Sequence, residues 1–335
     1  MGSRRLPAAI RRADLTGRGN NRTISLDLCI TMFQLKHILA ECSVALLDGA
    51  VGTELARRGV STALPLWSAA ALEFHPDTVL QIHRDYVDAG AQIIIANSFR
   101  TTTFSYTEAG MEASSARGKA RKMTHRAVDL ARQAVRGKPA WVAGSMAPVA
   151  DCYTPGDYPG REMAARIYGE LAGDLADAGV DLLLLETQIT LEEIEVALEA
   201  AIPTGLPLVA SFLADAGMRL LGGAPLAEAF ELAESAGAEG VLVNCVTLDT
   251  ADAIAPQLRR LTGLPFGIYA NAGVSFPEKG GSIDQMHSDK RFARSVARWI
   301  ENGASLVGGC CGTTPGTIAA VHAALSRLDL RPQRV

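Results

Sequence analysis

Eight short apolar runs, separated by amphipathic stretches, constrain what this chain can fold into more than any other feature. They are VALLD (Val44 to Asp48), QIIIAN (Gln92 to Asn97), AWVAGS (Ala140 to Ser145), DLLLLE (Asp181 to Glu186), PLVASF (Pro207 to Phe212), GVLVNC (Gly240 to Cys245), LPFGIY (Leu264 to Tyr269) and SLVGGC (Ser305 to Cys310). The runs are continuously apolar, as in strands covered on both faces, and the stretches between them, such as HPDTVLQIHRDYVDAG and PLAEAFELAESAG, have a helical period. Strands alternating with helices build a parallel sheet. Eight such units predict the α/β class and a single (β/α)8 TIM barrel. A doubly wound open sheet is the alternative, but the first strand runs into DGAVGTEL, which lacks the GxGxxG spacing of a dinucleotide fold.

The chain has 335 residues, 48% hydrophobic and 20% charged, enough to bury a large core. The barrel is expected over residues 32–335. Residues 1–31 are rich in Arg, Gly and Asn and have no sustained apolar period, so they read as a disordered, basic, flexible N-terminal arm, with Met32 as an alternative start. A formal net charge of -4 offers no basic stripe for nucleic acid. No apolar run reaches the roughly 18 residues of a membrane span. Neither nucleic acid nor membrane is an expected partner. The six cysteines, Cys29, Cys42, Cys152, Cys245, Cys310 and Cys311, are thinly spread with no secretory signal pattern, which fits reduced thiols in a cytoplasm.

Four units can be laid in register: GAQIIIAN, GVDLLLLE, GAEGVLVN and GASLVGGC. Each opens on a glycine that ends a helix (Gly90, Gly179, Gly237, Gly303) and stops at Asn97, Glu186, Asn244 or Cys310. The strand C-termini of a barrel converge on one mouth, so this register gathers two amides, a carboxylate and thiols around one cavity.

The thiols stand out because Cys310 and Cys311 are adjacent, in GGCCGTTP. Neighbouring cysteines form only a strained disulfide, since one peptide unit holds their Cα atoms too close. In the barrel reading Cys245 ends the sixth strand and the pair ends the eighth. Three thiolates there can take three corners of a tetrahedron, and soft sulfur ligands favour zinc. The flanking glycines let both sulfurs turn to one side. The competing reading is that these cysteines are small buried hydrophobes.

DGAVGTEL at the first strand, Asn244-Cys245, and GGCCGTTP at the eighth together resemble the signatures of the homocysteine S-methyltransferase family, over roughly Leu46 to Leu325. That family includes enzymes dependent on S-methylmethionine and on betaine. The resemblance implies a zinc ion on Cys245, Cys310 and Cys311, homocysteine and a small methyl donor as partners, methionine as product, and the same barrel. It also implies that Glu186 pairs the substrate ammonium and that Asp48 with Gly49 binds homocysteine. Each has a simpler reading: Asp48 as a turn cap, Glu186 as a charge at the start of the helix TLEEIEVAL.

Asn244 is expected to orient the substrate or a sulfur, and Asn97, Ser98, Arg100 and Ser145 to line the donor side. Cys152 has no spacing that recruits it to a metal. S-methylmethionine suits a single-module chain, with betaine or S-adenosylmethionine as alternative donors, and NAGVSFPEKGGSIDQMHSDK after the seventh strand is an expected lid. Two readings of other classes stay open: an aldolase or isomerase with a phosphate site in GGCCGTTPG, and a non-catalytic structural-zinc or redox protein.

Overall fold

The computed structural model of the protein describes Leu35, Lys36, Leu39 and residues 43–275 and 286–327. The expected N-terminal arm, Cys29, Cys42 and half of the expected lid, residues 276–285, lie outside the described residues. The eight strands are β1 (Ala45–Leu46), β2 (Ile93–Ala96), β3 (Trp141–Met146), β4 (Leu182–Gln188), β5 (Leu208–Phe212), β6 (Gly240–Asn244), β7 (Phe266–Ala270) and β8 (Leu306–Gly309). Every one falls on an expected run. All pairings are parallel, in the order β1-β8-β7-β6-β5-β4-β3-β2. A bridge between Leu47 and Ile93, with Gln92 N donating to Leu46 O at 2.7 Å, joins the two ends and closes the barrel.

The helices are α1 (Val51–Arg57), α2 (Ala71–Phe74), α3 (Pro76–Asp88), α4 (Thr103–Glu108), α5 (Ala113–Val135), α6 (Arg161–Ala178), α7 (Leu191–Ala201), α8 (Leu226–Ser235), α9 (Leu248–Leu258), α10 (Asp289–Glu301) and α11 (Pro315–Leu325). HPDTVLQIHRDYVDAG, read as the first helix, is preceded by α1 and α2, which are too short to show a period. Side-chain oxygens of Thr190, Thr247, Ser288 and Thr314 cap α7, α9, α10 and α11. The four glycines of the sequence register have φ of 102°, 82°, 82° and 95°, the conformation that stops a helix and turns the chain into the next strand.

The continuous apolar runs divide between two cores. In β4, Leu182 and Leu184 face the barrel interior with Ala143, Val209, Leu242 and Leu306, while Leu183 and Leu185 pack toward the helices with Val142, Val241 and Val307. Leu35, fully buried, belongs to the interior set, and its N–H donates to Glu239 Oε2 at 2.8 Å just before β6 begins. It therefore packs at the end where strands start, which leaves the other end for a cavity. The close approach of β7 and β8 needs a glycine: a Cβ on Gly267 would stand 1.9 Å from the Leu306 carbonyl oxygen.

Candidate active site

The alternation that sends Leu184 inward also sends Glu186 inward, two residues on. By the same step Ile95 leads to Asn97, Ala143 to Ser145, Val209 to Ser211, Leu242 to Asn244 and Tyr269 to Asn271. All six polar residues are buried. They form a polar layer above the apolar interior, at the C-terminal end of the strands. Above it opens a cavity of about 460 Å³. Its walls include Gly49, Asn97, Ser145, Glu186, Cys245, Cys310 and Cys311, all expected at the site. Asp48 and Asn244 are fully buried, in the layer beneath the cavity.

The three expected metal-binding thiols come together. Cys245 Sγ lies 3.9 Å from Cys311 Sγ, and all three sulfurs lie within 4.8 Å of one another. Zinc–sulfur bonds of about 2.3 Å in a tetrahedron put sulfurs roughly 3.8 Å apart, so the donor set and its spacing fit zinc. Among the described residues no histidine, cysteine or carboxylate joins them as a fourth. A zinc ion held by these three would keep one coordination position for a ligand from the cavity that they line. Hydrogen bonding among the thiols splits them: bonds from Cys245 and Cys311 hold the Cys310 thiol well below its ordinary pKa, while its bonds to Cys310 and Cys311, reinforced by burial, hold the Cys245 thiol above it.

Backbone contacts set this arrangement. Cys245 adopts φ 57°, a left-handed conformation uncommon outside glycine and typical of strained functional positions. Asn271 Nδ2 braces it by donating to the Cys245 carbonyl at 2.9 Å. The Cys310-Cys311 turn is tied to the end of the first strand and to α1: Gly309 N donates to Asp48 O at 3.0 Å, and Gly312 N to Thr53 Oγ1 at 2.9 Å. Cys310 N donates to Ala270 O at 2.8 Å and Thr313 N to Cys310 O at 3.1 Å, so these amides are committed within the protein. Gly49 makes the tie possible, because a Cβ there would come 2.7 Å from Thr313 Oγ1.

Glu186 sits in an irregular stretch of β4. The register with β5 shifts between Leu185 and Gln188, and Thr187 has φ 58°. Asn244 holds this bulge by accepting from Thr187 N at 3.1 Å and donating to Thr187 Oγ1 at 2.8 Å, while Ser211 Oγ also donates to its Oδ1 at 2.7 Å. The amide expected to orient the substrate or a sulfur thus supports the bulge that aims Glu186, and its side chain also helps hold the Cys310 thiol low. Glu186 accepts from Ser145 Oγ at 2.6 Å and Tyr269 OH at 3.3 Å. Burial, reinforced by Cys310, pushes its carboxyl up to about 7, against the pull of those two hydroxyls. It belongs to β4 and not to the start of α7. Asp48 Oδ2 accepts from Ile95 N at 3.0 Å, its Oδ1 is buried without a partner, and burial holds its carboxyl well above the usual range. It caps nothing in α1, whose N-cap Ala50 has no side-chain bond.

Asn97 is engaged with Ser68, accepting from its Oγ at 2.6 Å and donating to its carbonyl at 2.9 Å. Ser98 is fully buried against Ser145, out of the cavity wall, whereas Arg100 lines it. Several wall residues escaped sequence reading. Tyr153 OH stands 3.0 Å from Cys245 Sγ, and Trp67 meets Phe99 edge-on with ring centroids 5.5 Å apart. These residues sit in turns with no period. Tyr269 was within reach, since it stands at the end of the seventh run. Cys152, set apart by its spacing, lines the cavity too, its thiol pushed up to about 12 by burial.

The model of the family "Homocysteine S-methyltransferase" matches residues 45–325. Homocysteine S-methyltransferase of Escherichia coli (strain K12) is 33% identical over 310 residues, covering 86% of this chain and 97% of that protein. Selenocysteine methyltransferase of Astragalus bisulcatus is 29% identical over 316 residues, covering 84% and 92%. The crystal structure of the metallated form of the homocysteine methyltransferase MmuM from Escherichia coli superposes with a TM-score of 0.74 at 31% identity, covering 86% of this chain and 99% of that one. Barrel, thiol turn and matched span agree, and the chain belongs to the homocysteine S-methyltransferase family.

Proposed function

We propose that this protein is a zinc-dependent S-methyltransferase that moves a methyl group from S-methylmethionine to the thiolate of homocysteine, giving methionine. The observation that carries the reading is the three-thiol cluster, open to a cavity that also holds a buried carboxylate, Glu186. A free alkyl thiol is mostly protonated at neutral pH. Cys245, Cys310 and Cys311 would hold the zinc, which would supply a Lewis acid that lowers the pKa of the acceptor thiol.

The protein's own groups do the rest. Glu186, fixed by Ser145 and Tyr269, takes the ammonium of homocysteine, and Asp48 with the close backbone at Gly49 supports the same end. The rings of Trp67, Phe99 and Tyr153 line the region above and offer faces to a sulfonium. The acceptor sulfur attacks the donor methyl in line, the new S–CH3 bond forming as the old C–S+ bond breaks, and the donor leaves as a neutral thioether. The acceptor's proton goes to solvent. Alignment in a site poor in water supplies the acceleration.

Two observations weigh against the other classes. The turn amides that a phosphate would need, at Gly309, Cys310, Gly312 and Thr313, all have partners within the protein. The absence of a fourth metal-ligating residue among those described argues against a closed structural zinc. The test is to incubate zinc-loaded protein with homocysteine and a panel of onium donors and look for methionine by mass spectrometry. Methionine formed from S-methylmethionine supports the reading, and none from any donor sinks it.

A further inference from the structure

One cation in the cavity wall stands in no ion pair among the described residues. Arg100, in the turn after β2, is 9% exposed and lines the cavity. Its Nη1 donates to the Ala150 carbonyl at 2.6 Å, its Nε is buried without a partner, and its Nη2 donates to no described residue. None of the ion pairs among the described residues includes it. Two carboxylates are near without pairing it: Asp151 Oδ1 accepts from Tyr153 N at 2.6 Å, and Glu193, which feels the charge of Arg100 across a distance too long for an ion pair, accepts at its Oε1 from Val149 N at 2.8 Å and Tyr168 OH at 2.9 Å. The guanidinium carbon lies 5.7 Å from the centroid of the Phe99 ring, which in turn packs against Trp67.

A guanidinium taken out of water without a counter-ion is costly to keep, and the cost is recovered when a ligand brings the anion. The guanidinium suits a carboxylate, the anionic group that a small amino-acid onium compound carries, with Nη2 as the donor left free to reach it. The aromatic pair beside it suits that centre. Glu186 is on β4 and the thiols follow β6 and β8, so the acceptor's amino group and sulfur are accounted for by elements other than the turn that carries Arg100. We propose that Arg100 is the specificity-determining residue of the methyl-donor site: it takes the donor's carboxylate, so the donors accepted are carboxylated onium compounds. This rests on the methyl-transfer reading above and narrows its donor class.

The experiment compares S-methylmethionine with its carboxamide, in which a neutral amide replaces the carboxylate, on zinc-loaded full-length wild type and Arg100→Gln. Wild type is expected to favour the carboxylate in kcat/KM by about tenfold to a hundredfold, the range for a hydrogen-bonded charge. Arg100→Gln should erase that preference by raising the KM for S-methylmethionine, with the KM for homocysteine unchanged. Equal use of the two donors by wild type overturns the proposal without any variant. So does a rise in homocysteine KM in place of donor KM, which would assign Arg100 to the acceptor. Calorimetric binding of S-methylmethionine separates the proposal from the reaction itself. Binding that is weakened by Arg100→Gln, in a protein that transfers no methyl group, keeps the carboxylate site and removes the transferase reading. Binding equal in both proteins removes the carboxylate site.

Discussion

One wall of the cavity is made of strand ends and the other of turns, and their side chains are held in different ways. On the strand wall, Ser145, Glu186 and Tyr269 bond to one another, and Asn244 pins the bulge beneath them. On the turn wall, Phe99, Arg100 and Tyr153 lie between regular elements, Trp67 opens a single 3-10 turn, and Arg100 is anchored by one backbone carbonyl. Strand ends are fixed by the barrel's own register, so they suit the groups every reaction at this site shares. Turns can change without disturbing the barrel, so they suit whatever varies from one donor to another.

The largest effect expected from either wall is loss of a sulfur. Cys311→Ser leaves two thiolates for the metal. Replacing mere supporting groups around a metal typically costs tenfold to a hundredfold in affinity, so loss of a ligand should exceed about a hundredfold. Zinc content by atomic emission should fall to a small fraction of wild type, with the circular dichroism spectrum unchanged. Equal zinc in both proteins would remove the metal from the strand wall altogether.

Glu186→Gln tests whether that wall holds the acceptor's amino group. The change keeps shape and removes charge, so kcat/KM with homocysteine should drop by about tenfold to a hundredfold while zinc content stays constant. With 3-mercaptopropionate, which has no amino group, the two proteins should react alike. The pH dependence has a definite sign. The Glu186 carboxyl is pushed up to about 7, so below that pH it gains a proton and loses the charge that pairs an ammonium. In wild type the preference for homocysteine over 3-mercaptopropionate should fall as pH drops below about 7. In Glu186→Gln it should be flat. An equal loss with both acceptors would place Glu186 in the fold or the metal shell.

The same division explains what the sequence made legible. The strand wall was readable because a period of two, once started by Leu182 and Leu184, puts Glu186 inward wherever the barrel closes. The register of four units found Asn97, Glu186, Asn244 and Cys310 for that reason. Asn244 was expected to orient the substrate or a sulfur, and it does bond to Cys310; what the register could not show is its second task, because the shift in β4 that it braces depends on two strands meeting. The turn wall carries no such period. Trp67 has φ 46° in a segment of mixed turns, and Tyr153 reaches Cys245 from a loop 92 residues earlier in the chain. Their positions follow from tertiary contacts, and short spacings do not encode those.

Tyr153 is the place where the two walls touch, and it should give the smallest effect. Its hydroxyl stands 3.0 Å from Cys245 Sγ, and burial, with the nearby thiols, holds it well above the usual phenol range, so it stays a donor. Tyr153→Phe removes that donor and keeps the ring that lines the cavity. A typical hydrogen bond contributes about 1 kcal/mol net, or roughly fivefold in a rate or an affinity. If Tyr153 acts with the strand wall, the change should speed chelator-driven zinc loss by about fivefold and leave the preference between S-methylmethionine and its carboxamide untouched. If it acts with the turn wall, donor KM should change instead, with zinc loss as in wild type. Equal shifts in both would mean that the walls are mechanically coupled through this one hydroxyl, and a double-mutant cycle with Glu186→Gln would then show an interaction above the 0.3–0.5 kcal/mol or so expected of independent sites.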